Sequence, residues 1–226
     1  MVGMPATASP AALLSMFCGE YSLVTGGLAV TLRCKRWSCP ICQPFNLRAL
    51  TARATIGDPT IFITLTANPR WGASPDARAR LLVRAWRTLC RRIRARCSLK
   101  SVPFLAVFEA TEKGEPHLHI LARLPFIPQS WLSAQMRCLT RSPIVHIRKV
   151  ANRTRAAHYI AKKPHLFKGT KRFWTSLNWS RERLTTAVSD KVWSVIPNTL
   201  DAIERMLSAA GILLLRRQHR LAWEPP

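Results

Sequence analysis

Two histidines, His117 and His119, are the residues of this chain with the clearest potential for chemistry. They follow the turn residues Gly114-Glu115-Pro116 and lie in an apolar run that is typical of a β-strand. Because side chains alternate along a strand, both imidazoles share one face. Neutral imidazoles bind divalent metals, so the pair predicts half of a metal site. By itself the pair is equally compatible with two ordinary strand histidines.

A carboxylate can complete this site. Glu109 ends a second apolar run, Phe104–Phe108, and the turn at 114–116 predicts that the two runs form a hairpin. Glu109 would then converge with the histidines as a two-His, one-carboxylate set for a divalent ion. We expect the apolar strand Ile61–Thr66 to lie centrally beneath this site.

Tyr159, one of two tyrosines in the chain, is the candidate nucleophile. It lies in a segment, 154–163, that predicts a helix ended by Pro164. Lys162 follows three positions later and therefore shares its helical face. A cation beside a phenol favours the phenolate, which can attack phosphorus. Without other signals, a tyrosine packed on a basic helix is the more ordinary interpretation.

The charge of the chain indicates its class of partner. Lys and Arg number 35 against 11 Asp and Glu, a net charge of +24. Such an excess favours a polyanion, of which nucleic acid is the commonest in a cell. No Lys or Arg precedes Arg33, and no apolar run is long enough to span a bilayer, so we expect a cytoplasmic protein without a membrane partner.

Three of the seven cysteines, Cys34, Cys39 and Cys42, have the close spacing of a zinc knuckle. An odd number of cysteines without an export signal argues against a disulfide framework. Cys18, followed by Gly19, is the candidate fourth ligand of a structural Zn²⁺ site. Unlinked, reduced cysteines are the alternative.

The order of the predicted elements indicates the fold class. The strand 61–66 is followed by a helix that Asp76 can cap and that runs to about Cys97. The hairpin, a short helix near 131–139, a strand over 144–150 and the helix 154–163 come next. Helices between hairpin-linked strands favour an α+β fold with an antiparallel sheet. A last amphipathic helix is predicted over about 200–217.

Two basic segments predict contacts with DNA, although the first could be only a solvated face and the tryptophans of the second could belong to the core. The first is the arginine-rich face of the helix after Asp76, and the second begins near the end of the helix that contains Tyr159. The predicted DNA-binding residues are Arg78, Arg80, Arg84, Arg87, Arg91, Arg94, Lys163, Lys171, Arg172 and Trp174. His146, His158 and His165 are expected to be ordinary surface or strand histidines.

Taken in order, the strand Phe62–Thr66, then Glu109, then Pro116–Ile120, then Tyr159–Lys162 resembles the three motifs of the HUH endonucleases. These are the rolling-circle replication initiators (Rep proteins) of single-stranded DNA viruses, phages and plasmids. The resemblance covers roughly residues 60–165 and is closest to the single-tyrosine branch. Some phage and plasmid initiators also carry a similar Cys-rich stretch ahead of the catalytic domain.

The resemblance implies a fold and a reaction. The fold is a ferredoxin-like (RRM-like) antiparallel sheet with flanking helices, with a small zinc-binding element before it. Glu109, His117 and His119 would hold Mg²⁺ or Mn²⁺ at the scissile phosphate of a single-stranded origin. Tyr159 would attack, leaving a 5′-phosphotyrosine and a free 3′-OH, and Lys162 would position the phosphate or stabilise the phenolate. A second transfer would rejoin the strand.

The predicted domains are an N-terminal segment with the zinc knuckle at 1–56, an endonuclease core at 57–167 and a basic, aromatic extension at 168–226. Because no ATPase motif occurs in the sequence, a host helicase and polymerase are the expected partners. Two alternatives stay open: a zinc-containing nucleic-acid-binding protein without catalysis, and an HUH transposase or relaxase that uses the same chemistry.

Overall fold

The computed structural model describes residues 18–25, 28–70, 74–180 and 194–197. It divides into two compact units, residues 1–46 with 186–226 and residues 47–185. The amphipathic helix predicted over 200–217 lies outside the described residues. The three predicted domains stay a prediction.

In the first unit, three short strands form an antiparallel sheet. They are β1 (Tyr21–Thr25), β2 (Leu28–Thr31) and β8 (Ser194–Pro197), in the order β2-β1-β8. The sequence pattern did not predict these strands, because the small, nearly uncharged residues before residue 30 show no clear period.

In the second unit, five strands form one antiparallel sheet, so the predicted α+β class is confirmed. The strands are β3 (Ile61–Thr66), β4 (Phe104–Ala110), β5 (Pro116–Ala122), β6 (Val145–Lys149) and β7 (Phe173–Thr175). Their order is β6-β3-β5-β4-β7. The hairpin of β4 and β5 is the one that the turn residues predicted. β7 falls within the segment that the sequence assigned to the C-terminal extension.

Four helices occur in the described part of the chain: α1 (Cys42–Ile56), α2 (Pro75–Arg96), α3 (Gln129–Thr140) and α4 (Arg153–Ala161). α1 was not predicted, since its apolar and basic residues follow no single stripe. The predicted cap of α2 was wrong: the Ala77 N–H donates to the Ser74 hydroxyl, so Ser74 is the N-cap. Asp76 instead accepts a hydrogen bond from the Lys168 backbone N–H.

The main core lies between one face of the five-stranded sheet and helices α2 and α3. Alternate residues of the strands, such as Ile63, Leu118 and Ile120, are buried there together with Trp86 and Leu89 of α2. This alternation commits the other set of side chains to the opposite face. Phe62 and Thr64 of β3, Glu109 of β4 and both histidines of β5 therefore share that second face.

None of the helices in the described ranges is both long enough and apolar enough to cross a membrane.

Candidate functional site

Strand pairing brings the three predicted metal ligands together. Glu109 on β4 lies directly opposite His117 on β5. The Nε2 atom of His119 lies 2.7 Å from a carboxylate oxygen of Glu109, and the two imidazole rings are 6.2 Å apart between centroids. The sheet thus sets one carboxylate against two imidazoles.

Thr64 holds the other nitrogen of His119. It lies opposite His119 on the neighbouring strand β3, and its hydroxyl oxygen is 3.0 Å from Nδ1. A hydroxyl can donate to or accept from an imidazole nitrogen. Thr64 can therefore satisfy either tautomer of the ring while fixing its orientation, the contact that a metal-ligating histidine needs.

Burial favours the neutral form of both histidines. It lowers the pKa of His117 below the usual value of 6.5, although the nearby carboxylate of Glu109 acts in the opposite direction. Burial also lowers the pKa of His119, against the hydrogen bond from Glu109. The contact between Glu109 and His119 is therefore a hydrogen bond to a neutral ring, and neutral imidazole is the form that binds metals.

The donor set suits a small divalent cation, since it combines two neutral imidazoles with one carboxylate. In the described residues, however, the ligand atoms of these three side chains are not gathered into a compact metal cluster. Glu109 and His119 bond to each other instead. Residues Glu109, His117 and His119 could hold Mg²⁺ or Mn²⁺ once the proton on Nε2 of His119 is lost or moves to Nδ1.

Tyr159 lies beside this site. It is carried by α4, which begins where the Asn152 side chain accepts the Arg155 backbone N–H at 2.8 Å. The Tyr159 ring meets the rings of His119 and Phe62 edge to face, at 5.7 and 5.6 Å between centroids. Its side chain is nevertheless 47% exposed, so the nucleophile predicted from the sequence is accessible.

Lys162 ends α4, and its backbone N–H donates to the Tyr159 carbonyl at 3.2 Å. Its exposed side chain lines a cavity that Tyr159 also lines. The two residues thus border the same space, as their spacing predicted.

The histidines and Tyr159 line one cavity of about 400 Å³. Two further residues of this cavity, His146 and Arg148, come from β6, where His146 lies opposite Thr64. The Arg148 guanidinium stacks over the rings of Phe62 and Tyr159, 5.1 and 5.6 Å from their centroids. Sequence reasoning missed Arg148 and gave His146 an ordinary role. The alternation of β6 is the signal that could have found both.

Arg78 of α2 braces the hairpin that carries the metal ligands. Its buried guanidinium bonds both carboxylate oxygens of Glu115, at 2.7 and 2.6 Å. Glu115 directly precedes β5. Arg78, predicted to contact DNA, is thus engaged inside the protein and is not presented to solvent.

The other predicted DNA-binding residues divide by exposure. Arg172 is partly buried and donates to the Pro164 carbonyl, and burial lowers its pKa. Trp174 packs on Phe108 in the core, at 5.7 Å between centroids. Trp179, in the same aromatic segment, is buried and donates to the Arg53 carbonyl. The exposed ones are Arg80, Arg84, Arg87, Arg91, Arg94, Lys163 and Lys171.

The four predicted zinc ligands do come together in the first unit. The Sγ atoms of Cys18, Cys34, Cys39 and Cys42 all lie within 4.8 Å of one another. Their shortest separations are 3.3 Å between Cys18 and Cys42 and 3.7 Å for two other pairs. Four thiolates at about 2.3 Å from a tetrahedral Zn²⁺ are about 3.8 Å apart. The cluster therefore has the dimensions to hold a metal such as zinc.

The thiols of this cluster differ in acidity. A hydrogen bond from the Cys42 backbone N–H is the main cause that lowers the pKa of Cys39 to about 7. At Cys18 a backbone N–H of Cys34 acts in the same direction, but burial and the three neighbouring thiols raise the pKa to about 12. Thiols packed this closely favour a bound cation, which replaces their protons.

Comparison with known proteins gives one match. Residues 60–165, just under half of the chain, match a family model described as replication-associated protein, of the ORF2 type. No curated protein and no solved structure matches the chain. The matched span contains the metal-ligand candidates and Tyr159. The match supports a replication initiator of a small DNA replicon.

Proposed function

We propose that this protein is a metal-dependent DNA-nicking and strand-joining enzyme that starts rolling-circle replication through a phosphotyrosine intermediate. One observation carries the proposal: an accessible tyrosine lies 5.7 Å, between ring centroids, from a histidine that is itself bonded to a carboxylate. These residues fall within the span that matches the replication-associated family.

The strand order also supports the proposal. β5 lies between β3 and β4, and β6 pairs with the outer side of β3. An antiparallel sheet in this order, with helices between its strands, is what the ferredoxin-like HUH fold requires. It puts His117 and His119 on a central strand, where neighbours on both sides fix their position.

Glu109, His117 and His119 hold Mg²⁺ or Mn²⁺ in this proposal, and the ion supplies charge neutralisation at the scissile phosphate. The phenolate oxygen of Tyr159 attacks the phosphorus, and the bond from phosphorus to the 3′ oxygen breaks. The phenolic proton leaves, the departing 3′ oxygen takes up a proton, and Tyr159 carries the 5′ phosphate. Attack by another 3′-OH reverses these changes and rejoins the strand.

Cations of the chain assist the tyrosine. Arg148 lies over the Tyr159 ring and lines the cavity that the histidines share, so its guanidinium can bind a phosphate there. Lys162 borders the neighbouring cavity with Tyr159. Both charges oppose the negative charge that develops during transfer.

The test uses a labelled library of single-stranded oligonucleotides with Mn²⁺ and a denaturing gel. We expect a covalent protein–DNA band that EDTA abolishes and that Tyr159→Phe does not form. Tyr21→Phe is the matched control and should keep the band. Failure of the wild-type protein to form any adduct across the library would favour the non-catalytic nucleic-acid-binding protein.

Transposition and plasmid mobilisation use the same chemistry, and the site does not distinguish them. The family match favours replication.

A further inference from the structure

A second cavity adjoins Tyr159. It has a volume of about 470 Å³ and shares three residues, Phe62, Arg148 and Tyr159, with the histidine cavity. Its other walls come from the end of β6 and the start of α4, including Lys149 and Arg155. Its size falls within the range of about 300–1,000 Å³ that small-molecule sites occupy.

The lining of this cavity is cationic. Arg148, Lys149 and Arg155 all contribute to it, and none of the described residues that line it is Asp or Glu. The exposed side chains of all three surround a floor formed by the buried Phe62 ring. Cations around an apolar floor suit a ligand that combines an anion with a flat apolar group, as a nucleotide does.

Two contacts pre-arrange the polar groups. Stacking over Phe62 and Tyr159 holds the Arg148 guanidinium at the boundary of the two cavities. The Asn152 side-chain oxygen accepts the Arg155 backbone N–H and so fixes the first turn of α4, from which the Arg155 side chain reaches the cavity. A planar guanidinium that is held in place binds phosphate oxygens in pairs.

A third cavity, also about 470 Å³, is lined by Arg155 and Tyr159 together with His158 and Lys162. The three cavities therefore share residues in sequence, with Tyr159 common to all of them. A row of connected sites fits consecutive units of a polymer better than a free mononucleotide.

We propose that the cavity bounded by Arg148, Lys149 and Arg155 binds one nucleotide of single-stranded DNA, the nucleotide next to the phosphate that reacts with Tyr159. The position of that phosphate rests on the proposed function, whereas strand binding by the cavity does not. Arg155 and Lys149 bind the backbone phosphate of this nucleotide, and its base lies over the Phe62 floor.

The test measures binding and requires no cleavage. The probe is a single-stranded oligonucleotide selected for binding to the Tyr159→Phe protein without added divalent metal. Each phosphate in turn is replaced by a neutral methylphosphonate, and the affinity is measured by fluorescence anisotropy for Tyr159→Phe alone and combined with Arg155→Gln. Arg153→Gln is the matched control, because Arg153 lies on the same helix but pairs with Asp58 at 2.7 Å.

At one linkage we expect neutralisation to weaken binding by about tenfold, the loss that one charge-assisted hydrogen bond produces. At that linkage Arg155→Gln should remove the sensitivity, while Arg153→Gln retains it. Equal sensitivity at every linkage in both variants would overturn the proposal, as would competition by dTMP at micromolar concentration, which indicates a site for free nucleotides.

The failure of the nicking reaction is distinguishable from the failure of this subsite. A linkage that responds to Arg155→Gln in a protein that never forms a Tyr159 adduct supports the subsite and contradicts the enzyme. An adduct without any such linkage supports the enzyme and contradicts the subsite.

Discussion

The Nε2 atom of His119 lies 2.7 Å from a carboxylate oxygen of Glu109, although nine residues separate them along the chain. Since burial keeps the ring neutral, its single proton lies on Nε2 in this contact and Nδ1 accepts from the Thr64 hydroxyl. Binding of a metal at Nε2 would require the other tautomer, in which Nδ1–H donates to Thr64. The same threonine can serve both states.

Substitution Thr64→Val should therefore weaken Mn²⁺ binding without unfolding the protein. Valine keeps the shape of threonine but removes the hydrogen bond to His119, and the loss of such a supporting contact lowers metal affinity by about 10–100-fold. Titration with Mn²⁺ followed by calorimetry measures the effect. Thr66→Val, on the same face of the same strand, is the matched control. Equal affinities of both variants and wild type would contradict this role for Thr64.

The stability of the protein without added divalent metal should fall as the pH decreases below about 6.5, the ordinary histidine pKa. The folded pKa values of His117 and His119 are lowered by burial, so unfolded histidines take up protons before the folded ones do. The associated stability is complete above 6.5 and is lost as the pH falls towards the folded values. Urea unfolding between pH 7.5 and 5.5 tests this expectation.

The matched comparison for the pH dependence is the double variant His117→Gln, His119→Gln. It should show a shallower loss of stability over the same interval, because it lacks the two groups that bind protons preferentially in the unfolded chain. An unchanged slope in this variant would assign the pH dependence to other residues.

Substitution Arg78→Ala should destabilise the fold by about 3 kcal/mol, the typical effect of removing one partner of a buried ion pair. It leaves Glu115 without the guanidinium that bonds both of its oxygens. The free energy of unfolding in urea measures the effect. Arg84→Ala, an exposed position on the same helix, should leave the stability nearly unchanged.

The same two variants separate structure from DNA binding. We expect Arg84→Ala to reduce the salt dependence of single-stranded DNA binding, whereas Arg78→Ala should retain it under conditions where the protein stays folded. The reverse result would show that Arg78 contacts DNA.

The purified protein should contain about one Zn²⁺ per chain, and Cys18→Ser should lose it. The serine removes one of four thiols that lie within 4.8 Å of one another. Elemental analysis gives the stoichiometry, and Cys138→Ser, which replaces an exposed thiol outside the cluster, should retain the metal. Absence of zinc from the wild-type protein, even after refolding with the metal, would contradict the site.

Local patterns of the sequence were sufficient to predict the elements near the candidate site. Alternation put His117 and His119 on one face, and the turn at Gly114 predicted the hairpin that sets Glu109 opposite His117. The helical period predicted most of the buried stripe of α2, including Trp86 and Leu89. Cysteine spacing predicted the cluster that Cys18 completes. Each of these relationships depends on neighbours within about 25 residues of the chain.

Only the tertiary structure decided which cations lie near Tyr159 and which lie elsewhere. Arg148 reaches the tyrosine because β6 pairs with β3 and α4 packs on the same face, whereas Arg78 is buried by an ion pair with a distant hairpin. Composition gives all arginines the same charge. Their roles diverge because burial and pairing depend on strand order, which is a property of residues far apart in the sequence and not of any local pattern.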